Sequence, residues 1–334
     1  MMIETLITKL LDIKYPIIQG GMIPVSDAEL AAAVSDAGGF GIIASAVFSS
    51  GEELRTEIVK AKNFTDKPFG VNISLFPSVR PLPNDEFIKV CIDESVSAVE
   101  TSGVRSPEEF VEPLRDGKVK LIHKVAEVRH AIKAEEIGAD AVTVVGVESG
   151  GHPGHNDLTS MILVPLTVDA VQIPVLAGGG ITDSRSFVAA LSLGADGVVI
   201  GTRFMATKES NIHPKFKEWM INAKESDTTI VMRALKMNTR AMKNETTEKI
   251  LHKERMLKQR NATFEEILAE LLPLIKGEKT KKVFKNGDLN AGVAPCGQTI
   301  GSINKILTVK KVIEDIIKGS DSVIKRLNLI TTQN

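Results

Sequence analysis

The chain has 334 residues, 43% of them hydrophobic and 25% charged, with a formal net charge of −1. That length accommodates one large barrel with an appendage or two ordinary domains, and the composition is that of a water-soluble globular protein. The near-balanced charge gives no electrostatic case for nucleic acid or an anionic membrane. The two cysteines, Cys91 and Cys296, offer neither metal-ligand spacing nor a disulfide framework and fit a reducing compartment.

At the amino terminus no basic start leads into a long apolar stretch, and no later run approaches a membrane span. A cytoplasmic protein without an anchor is expected. Residues 15–22 are a short buried strand ending in glycine, with Ser26 as the expected cap of a helix from Asp27 to Ala37. Gly38-Gly39 stops that helix. A second strand, Phe40 to Ser45, precedes a polar helix around Glu52 to Lys62, and Phe69 to Ser74 is the third strand. There Asn72 interrupts an apolar run, and a buried amide requires hydrogen-bond partners from a ligand or from neighbouring backbone. Pro77, Pro81 and Pro83 make 76–87 a stiff segment beside a strand end.

Strands four to eight are expected at Ser97–Gly103, Val119–Val125, Ala141–Gly146, Pro174–Gly178 and Gly197–Gly201, with helices at about Glu127–Ile137 and Ser184–Leu193. Eight apolar strands alternating with helical segments fit a parallel (β/α)8 TIM barrel better than an open doubly wound sheet. The first strand–helix turn lacks G-x-G-x-x-G, and no acidic residue closes a second strand at the dinucleotide position.

In a closed barrel the carboxyl ends of the strands converge, so Gln19, Asn72, Lys124, Glu148, His152, Gly179 and Thr202 could surround one ligand. The stretch Glu148-Ser149-Gly150-Gly151-His152 opens after the sixth strand. Its glycines permit close ligand approach, and its histidine can exchange a proton near neutral pH. Gly178-Gly179-Gly180 and Gly201-Thr202 follow the seventh and eighth strands. Backbone amides there, free of side-chain bulk, can wrap a phosphate, which makes a phosphorylated cofactor the leading ligand. His152 and His155 have no third or fourth partner at metal-ligand spacing, so no metal site is expected, and His123 should point away from the face that carries Lys124.

Beyond Phe204 the composition becomes charge-rich. Residues 1–207 are expected to form the barrel, 208–290 a mostly helical lobe or lid, and 291–334 a segment whose helix, about Ser302 to Lys318, returns to the barrel. Helix is expected throughout 208–275, with methionines 220, 232, 237 and 242 in the lobe core.

The sequence resembles the flavin-dependent nitronate monooxygenase (2-nitropropane dioxygenase) family, whose relatives include the FMN-dependent enoyl-acyl-carrier-protein reductases. The resemblance runs from about Tyr15 to Asn244 and resumes at Gly297-Gln298. Its carriers are residues 16–22 (PIIQGGM), 38–41 (GGFG), 69–72 (FGVN), 148–152 (ESGGH), 177–181 (AGGGI) and 201–204 (GTRF). Ser149, Pro153 and His155-Asn156-Asp157 depart from the usual pattern.

The resemblance implies FMN at the barrel mouth. Gln19, Gly21, Met22 and Asn72 would lie near its ring and Gly179, Gly180, Gly201 and Thr202 at its phosphate, with Lys124, Glu148, Gly151 and Gly178 completing the contacts. It makes His152 the catalytic residue. The first expectation is oxidation of nitronates or nitroalkanes by O2 to a carbonyl compound and nitrite. The alternative is an enoyl-thioester or quinone reductase using NAD(P)H as reductant. A small-molecule substrate is implied either way, and a homodimer is left open. A phosphate-binding barrel without flavin would want a nucleophilic cysteine in a mouth loop, where this chain has His152.

Overall fold

Short runs of Val, Ile and Ala pair side by side because each is flanked by residues that stop a strand, and each of the first seven strands is followed by a helix that packs on the barrel. The computed structural model describes residues 3–76 and 81–331. Its strands are β1 (Ile17–Gln19), β2 (Gly41–Ala44), β3 (Phe69–Leu75), β4 (Ala98–Gly103), β5 (Lys120–Val125), β6 (Ala141–Val145), β7 (Val175–Gly178) and β8 (Gly197–Ile200). They form one parallel sheet in the order β1-β8-β7-β6-β5-β4-β3-β2. The Gln19 amide donates to the Phe40 carbonyl and the Phe40 amide to the Ile17 carbonyl, both at 2.9 Å, which joins the two ends. The fold is therefore a (β/α)8 barrel.

Helix α1 (Leu6–Leu11) precedes β1. Helices α2 (Ala28–Asp36), α3 (Gly51–Phe64), α4 (Asn84–Asp93), α5 (Glu108–Asp116), α6 (Val128–Glu136), α7 (Ser160–Val168) and α8 (Ser184–Ser192) follow β1 to β7 in turn. After β8 come α9 (Thr202–Met205), α10 (Pro214–Asn222), a hairpin of β9 (Thr228–Val231) and β10 (Thr239–Met242), α11 (Glu245–Gln259), α12 (Phe264–Ile275), α13 (Gly277–Lys281) and α14 (Val309–Thr331). Helix α14 packs against α8 and α2, covering the stretch of barrel that a helix directly after β8 would cover.

Strand alternation divides the core in two. Ile18, Ile42, Ala98, Ile122, Leu176 and Val199 form an inner cluster with Ile7 and Leu11 of α1, while the intervening residues, such as Val71, Val99, Leu121 and Val142, pack outward against the helices. One step further along the same inward faces stand Asn72, Glu100, Ser102, Lys124 and Thr143. The barrel interior thus changes from hydrocarbon to polar groups towards its carboxyl end, and that change places the site.

Several expectations need correction. The cap of α2 is Asp27, whose carboxylate accepts from the Leu30 amide at 3.1 Å. The Ser26 hydroxyl is taken up by Gln19, Met22 and Gly20. Within 208–275 the chain makes the β9–β10 hairpin rather than helix throughout. The Met/Lys/Arg-rich run 233–244 has helical composition, but tertiary pairing of β10 with Gly151 and Pro295 outweighs local propensity. The last helix starts at Val309, because the preceding chain is held extended where Lys208 N–H donates to the Leu307 carbonyl at 2.9 Å. Of the proline segment, Pro77 lies outside the described residues, and α4 already begins at Asn84. Met220, Met232 and Met242 are buried, and Met237 packs against the lobe core. Both cysteines are free and buried, and burial pushes the Cys296 thiol up to about 12, where it is inert as a nucleophile. No helix among the described residues is long and apolar enough to cross a membrane.

Candidate active site

A cavity of about 850 Å3 opens at the carboxyl ends of the strands. Its floor is the polar layer of the barrel. The registers Asn72↔Glu100 and Ser102↔Lys124 bring these side chains together. Asn72 Nδ2 donates to Glu100 Oε2 at 2.8 Å and to Ser102 Oγ at 3.2 Å, and Lys124 Nζ donates to the same Glu100 oxygen at 3.0 Å. Glu100 is 1% exposed, a position where a carboxylate survives only if paired. Lys124 supplies that pair while its stem and ammonium face the cavity. Among the described residues, Glu100 Oε1 and Thr143 Oγ1 have no partner in the barrel interior.

Of the expected ring contacts, Gly21, Met22, Asn72 and Lys124 line the cavity. Gln19 does not. By alternation with inward Ile18 it turns outward, and its Nε2 donates to Ser26 Oγ at 2.8 Å and the Ile42 carbonyl at 2.9 Å, bracing the β1–α2 turn from behind.

Gly178, Gly179, Gly180, Gly201 and Thr202 meet on one wall. Gly180 has φ 78, and a Cβ there would come no closer than 4.0 Å to other atoms, so its open side is the cavity itself. Among the described residues, neither the Gly180 nor the Gly201 amide has a hydrogen-bond acceptor. The wall is stiffened from behind. Ser160 Oγ donates to the carbonyls of Gly178 and Gly179 at 3.1 and 3.0 Å, and Thr202 Oγ1 accepts from the Gly297 amide at 3.0 Å. Free amides, an unfilled concavity and fixed backbone are what a phosphate ester requires. The Glu148 carboxylate accepts from the Ser160 amide at 3.1 Å, at the first turn of α7, which anchors the loop after β6.

That loop carries His152 into the cavity, with Gly151 beside it. Gly151 and Arg240 exchange backbone hydrogen bonds at 3.1 and 2.8 Å, so β10 of the lobe runs antiparallel to the loop. The Arg240 guanidinium adds a bond from Nε to the Val147 carbonyl at 2.7 Å and one to Thr228 Oγ1 at 3.2 Å. The imidazole packs on Phe76, ring centroids 4.5 Å apart. The side chain is exposed to the cavity, and desolvation by the surrounding protein groups lowers its pKa to about 4. At neutral pH it is uncharged, with one nitrogen to donate a hydrogen bond and one to accept a proton.

His123 lies on the outward face of β5. Its Nδ1 pairs with Thr101 Oγ1 at 2.8 Å, and burial, aided by the charge of His130, lowers its pKa to about 4. His155 is exposed at the outer part of the cavity. Of the two carboxylates that the sequence offers Lys124 as an ion-pair partner, Glu100 and Glu148, it is Glu100 that pairs with it. Phe76, Ser160 and Arg240 carry no site signal in the sequence. These three depend on contacts between segments distant in the chain.

The comparisons with known proteins agree with this geometry. The nitronate monooxygenase family model matches residues 4–86 and 78–319. FabK from Thermotoga maritima is 38% identical, with a TM-score of 0.87 over 97% of this chain and 98% of that one. The (3aS,4S,5R,7aS)-5-hydroxy-7a-methyl-1-oxo-octahydro-1H-indene-4-carboxyl-CoA dehydrogenase of Rhodococcus jostii is 32% identical over 98% of both chains. A "Probable nitronate monooxygenase" of Staphylococcus saprophyticus is 35% identical over 75% of this chain and 81% of that protein. The family match and these relatives, on this barrel, indicate a flavin-dependent oxidoreductase. The chain belongs to the nitronate monooxygenase family.

Proposed function

We propose that this chain is an FMN-dependent oxidoreductase acting on an acyl thioester, with His152 facing the reacting atoms. The observation that carries this reading is one continuous cavity. It begins at the glycine wall, passes His152 and continues outward to the β4–α5 turn and α6, more space than a flavin and a small nitronate call for. The relative from Rhodococcus jostii, aligned over 98% of both chains, is named for a CoA-bound carboxyl substrate and supports the same direction.

Gly179, Gly180, Gly201 and Thr202 would hold the FMN phosphate through backbone amides, and Gly21, Met22, Asn72 and Lys124 would lie at the ring. When bound, FMN supplies a carrier that accepts hydride from a reductant such as NAD(P)H and passes it to an electron-poor carbon. His152, neutral at pH 7, donates a hydrogen bond to the thioester carbonyl oxygen, and its ring orientation is held by Phe76 and the Arg240-bound loop. Lys124, fixed by Glu100, offers positive charge at the cavity floor.

Nitronate oxidation is the second reading. The relative named for that activity supports it, as does the neutral imidazole, which can accept a proton from the carbon beside a nitro group. Anaerobic mixing separates the two. Purified, FMN-loaded protein should be bleached by NAD(P)H and recolour on addition of an enoyl thioester. Bleaching by propionate 3-nitronate, with no response to NAD(P)H, would support the second reading instead.

A further inference from the structure

Beyond His152 the outer arm of the cavity runs between the turn after β4, the first turns of α6 and the tip of the β9–β10 hairpin. Arg105, His130, Lys133 and Lys236 line it, together with the exposed apolar side chains of Val104 and Phe264. Its carboxylate, Glu127, is already bound by Arg129 at 2.7 Å and by Asn156 at 3.0 Å. Lys133 reaches Glu136 only at 3.6 Å, and among the described residues Arg105 and Lys236 are in no ion pair. The chain as a whole has a formal net charge of −1, so this surplus of cations is local and not a reflection of composition.

The hairpin tip is built to present its lysine. Lys236 takes φ 53, a left-handed conformation that a side-chained residue adopts at some cost. The tip is held by Lys236 N–H donating to the Arg233 carbonyl at 3.0 Å and Met237 N–H to the Met232 carbonyl at 3.1 Å. Arg233 is tied in turn to Asp157 of the histidine loop at 2.9 Å. Cations from three separate elements therefore face one groove that also has an exposed aromatic ring. Anions with a flat apolar portion have that combined chemistry.

We propose that this arm is a subsite for an adenosine phosphate, with Arg105, Lys133 and Lys236 on the phosphates and Phe264 against the base. Two molecules would bring that group to His152: a thioester carried on coenzyme A, or a reduced pyridine nucleotide. The inference deepens the thioester reading and rests on it only in requiring that a reactant be carried on a long nucleotide arm.

The test is calorimetric binding of fragments to FMN-loaded protein. Adenosine 3′,5′-bisphosphate represents the coenzyme A end and 2′-phospho-ADP-ribose the pyridine nucleotide end. At least one should bind, more weakly as salt is raised, and the tighter fragment identifies the source. The double variant Arg105→Ala/Lys236→Ala should weaken that fragment about tenfold or more, and Phe264→Ala several-fold, with FMN content and melting temperature unchanged. Unchanged affinity in the double variant, or inorganic phosphate binding as tightly as either fragment, overturns the subsite. The two proposals fail separately. Thioester turnover in which the double variant alters neither the thioester KM nor the NAD(P)H KM removes the subsite and leaves the function, whereas charge-dependent fragment binding by an enzyme that oxidises only nitronates does the reverse.

Discussion

Desolvation by the groups around the cavity lowers the His152 pKa, and among the described residues no carboxylate opposes it. In nitronate oxidation, where the ring must accept a proton, the acid limb of kcat against pH should fall at about 4, well below the ordinary 6.5, and a limb at 6.5 would contradict the lowered pKa. Replacing His152 by Ala should leave FMN bound and lower kcat by about 100-fold or more, the usual worth of a positioned proton-transfer group. Retained turnover would remove it from the chemistry. At Gly180 the backbone conformation and the open concavity act together. Gly180→Ala costs about 1–2 kcal/mol in left-handed strain, and the added methyl occupies the space where the phosphate would sit. FMN affinity should drop more than tenfold, with the melting temperature lowered by only about a few degrees.

At the scale of elements, the histidine loop is a product of two parts of the chain. Its stem leaves β6, but its course is set by β10, ninety residues later, through the Gly151–Arg240 pairing and the guanidinium bond to the Val147 carbonyl. Arg240→Ala removes the partner of that part-buried carbonyl, a loss of about 1 kcal/mol, and frees the loop. A drop in kcat of roughly tenfold or more is expected, with FMN affinity and KM much less affected. A lysine, lacking the planar fork, should restore only part of it, and a variant that merely melted earlier with wild-type kcat would show Arg240 to be structural only. This division explains what the sequence could reveal. Strands, glycine loops and His152 are local signals, written in apolar runs and in residues with special backbone freedom. The hairpin is not legible because 233–244 has helical composition, and Thr239–Met242 becomes a strand by pairing with β9, with Gly151 and Pro295 bridging to it as well. The outward turn of Gln19 was missed because it depends on which face of a three-residue strand meets the axis, and Ile18 takes the inner position.

For the whole molecule, the barrel carries a gradient from an apolar amino-terminal interior to a polar carboxyl-terminal one. Phe40, wholly buried in the apolar part, should cost about 3–5 kcal/mol when truncated to Ala, without altering the chemistry of the mouth. The two histidines with lowered pKa also set a pH dependence. Above about 6.5 His123 and His152 are neutral in both folded and unfolded chains. As pH falls from there towards about 4, the unfolded chain takes up protons that the folded one resists, so stability declines across that window. Melting temperature should fall as pH is lowered through it, less steeply in His123→Asn.

The central claim is that glycine-lined amides after β7 and β8 and the imidazole after β6 share one cavity that takes a flavin. Titrating flavin-free protein with FMN, followed by the flavin absorbance, tests it most directly when wild type is run beside Gly180→Val and His152→Ala. Saturable uptake by wild type and by His152→Ala, with binding lost in a still-folded Gly180→Val, is the predicted result. A wild-type protein that takes up no FMN, or a Gly180→Val protein that binds it equally well, would contradict it.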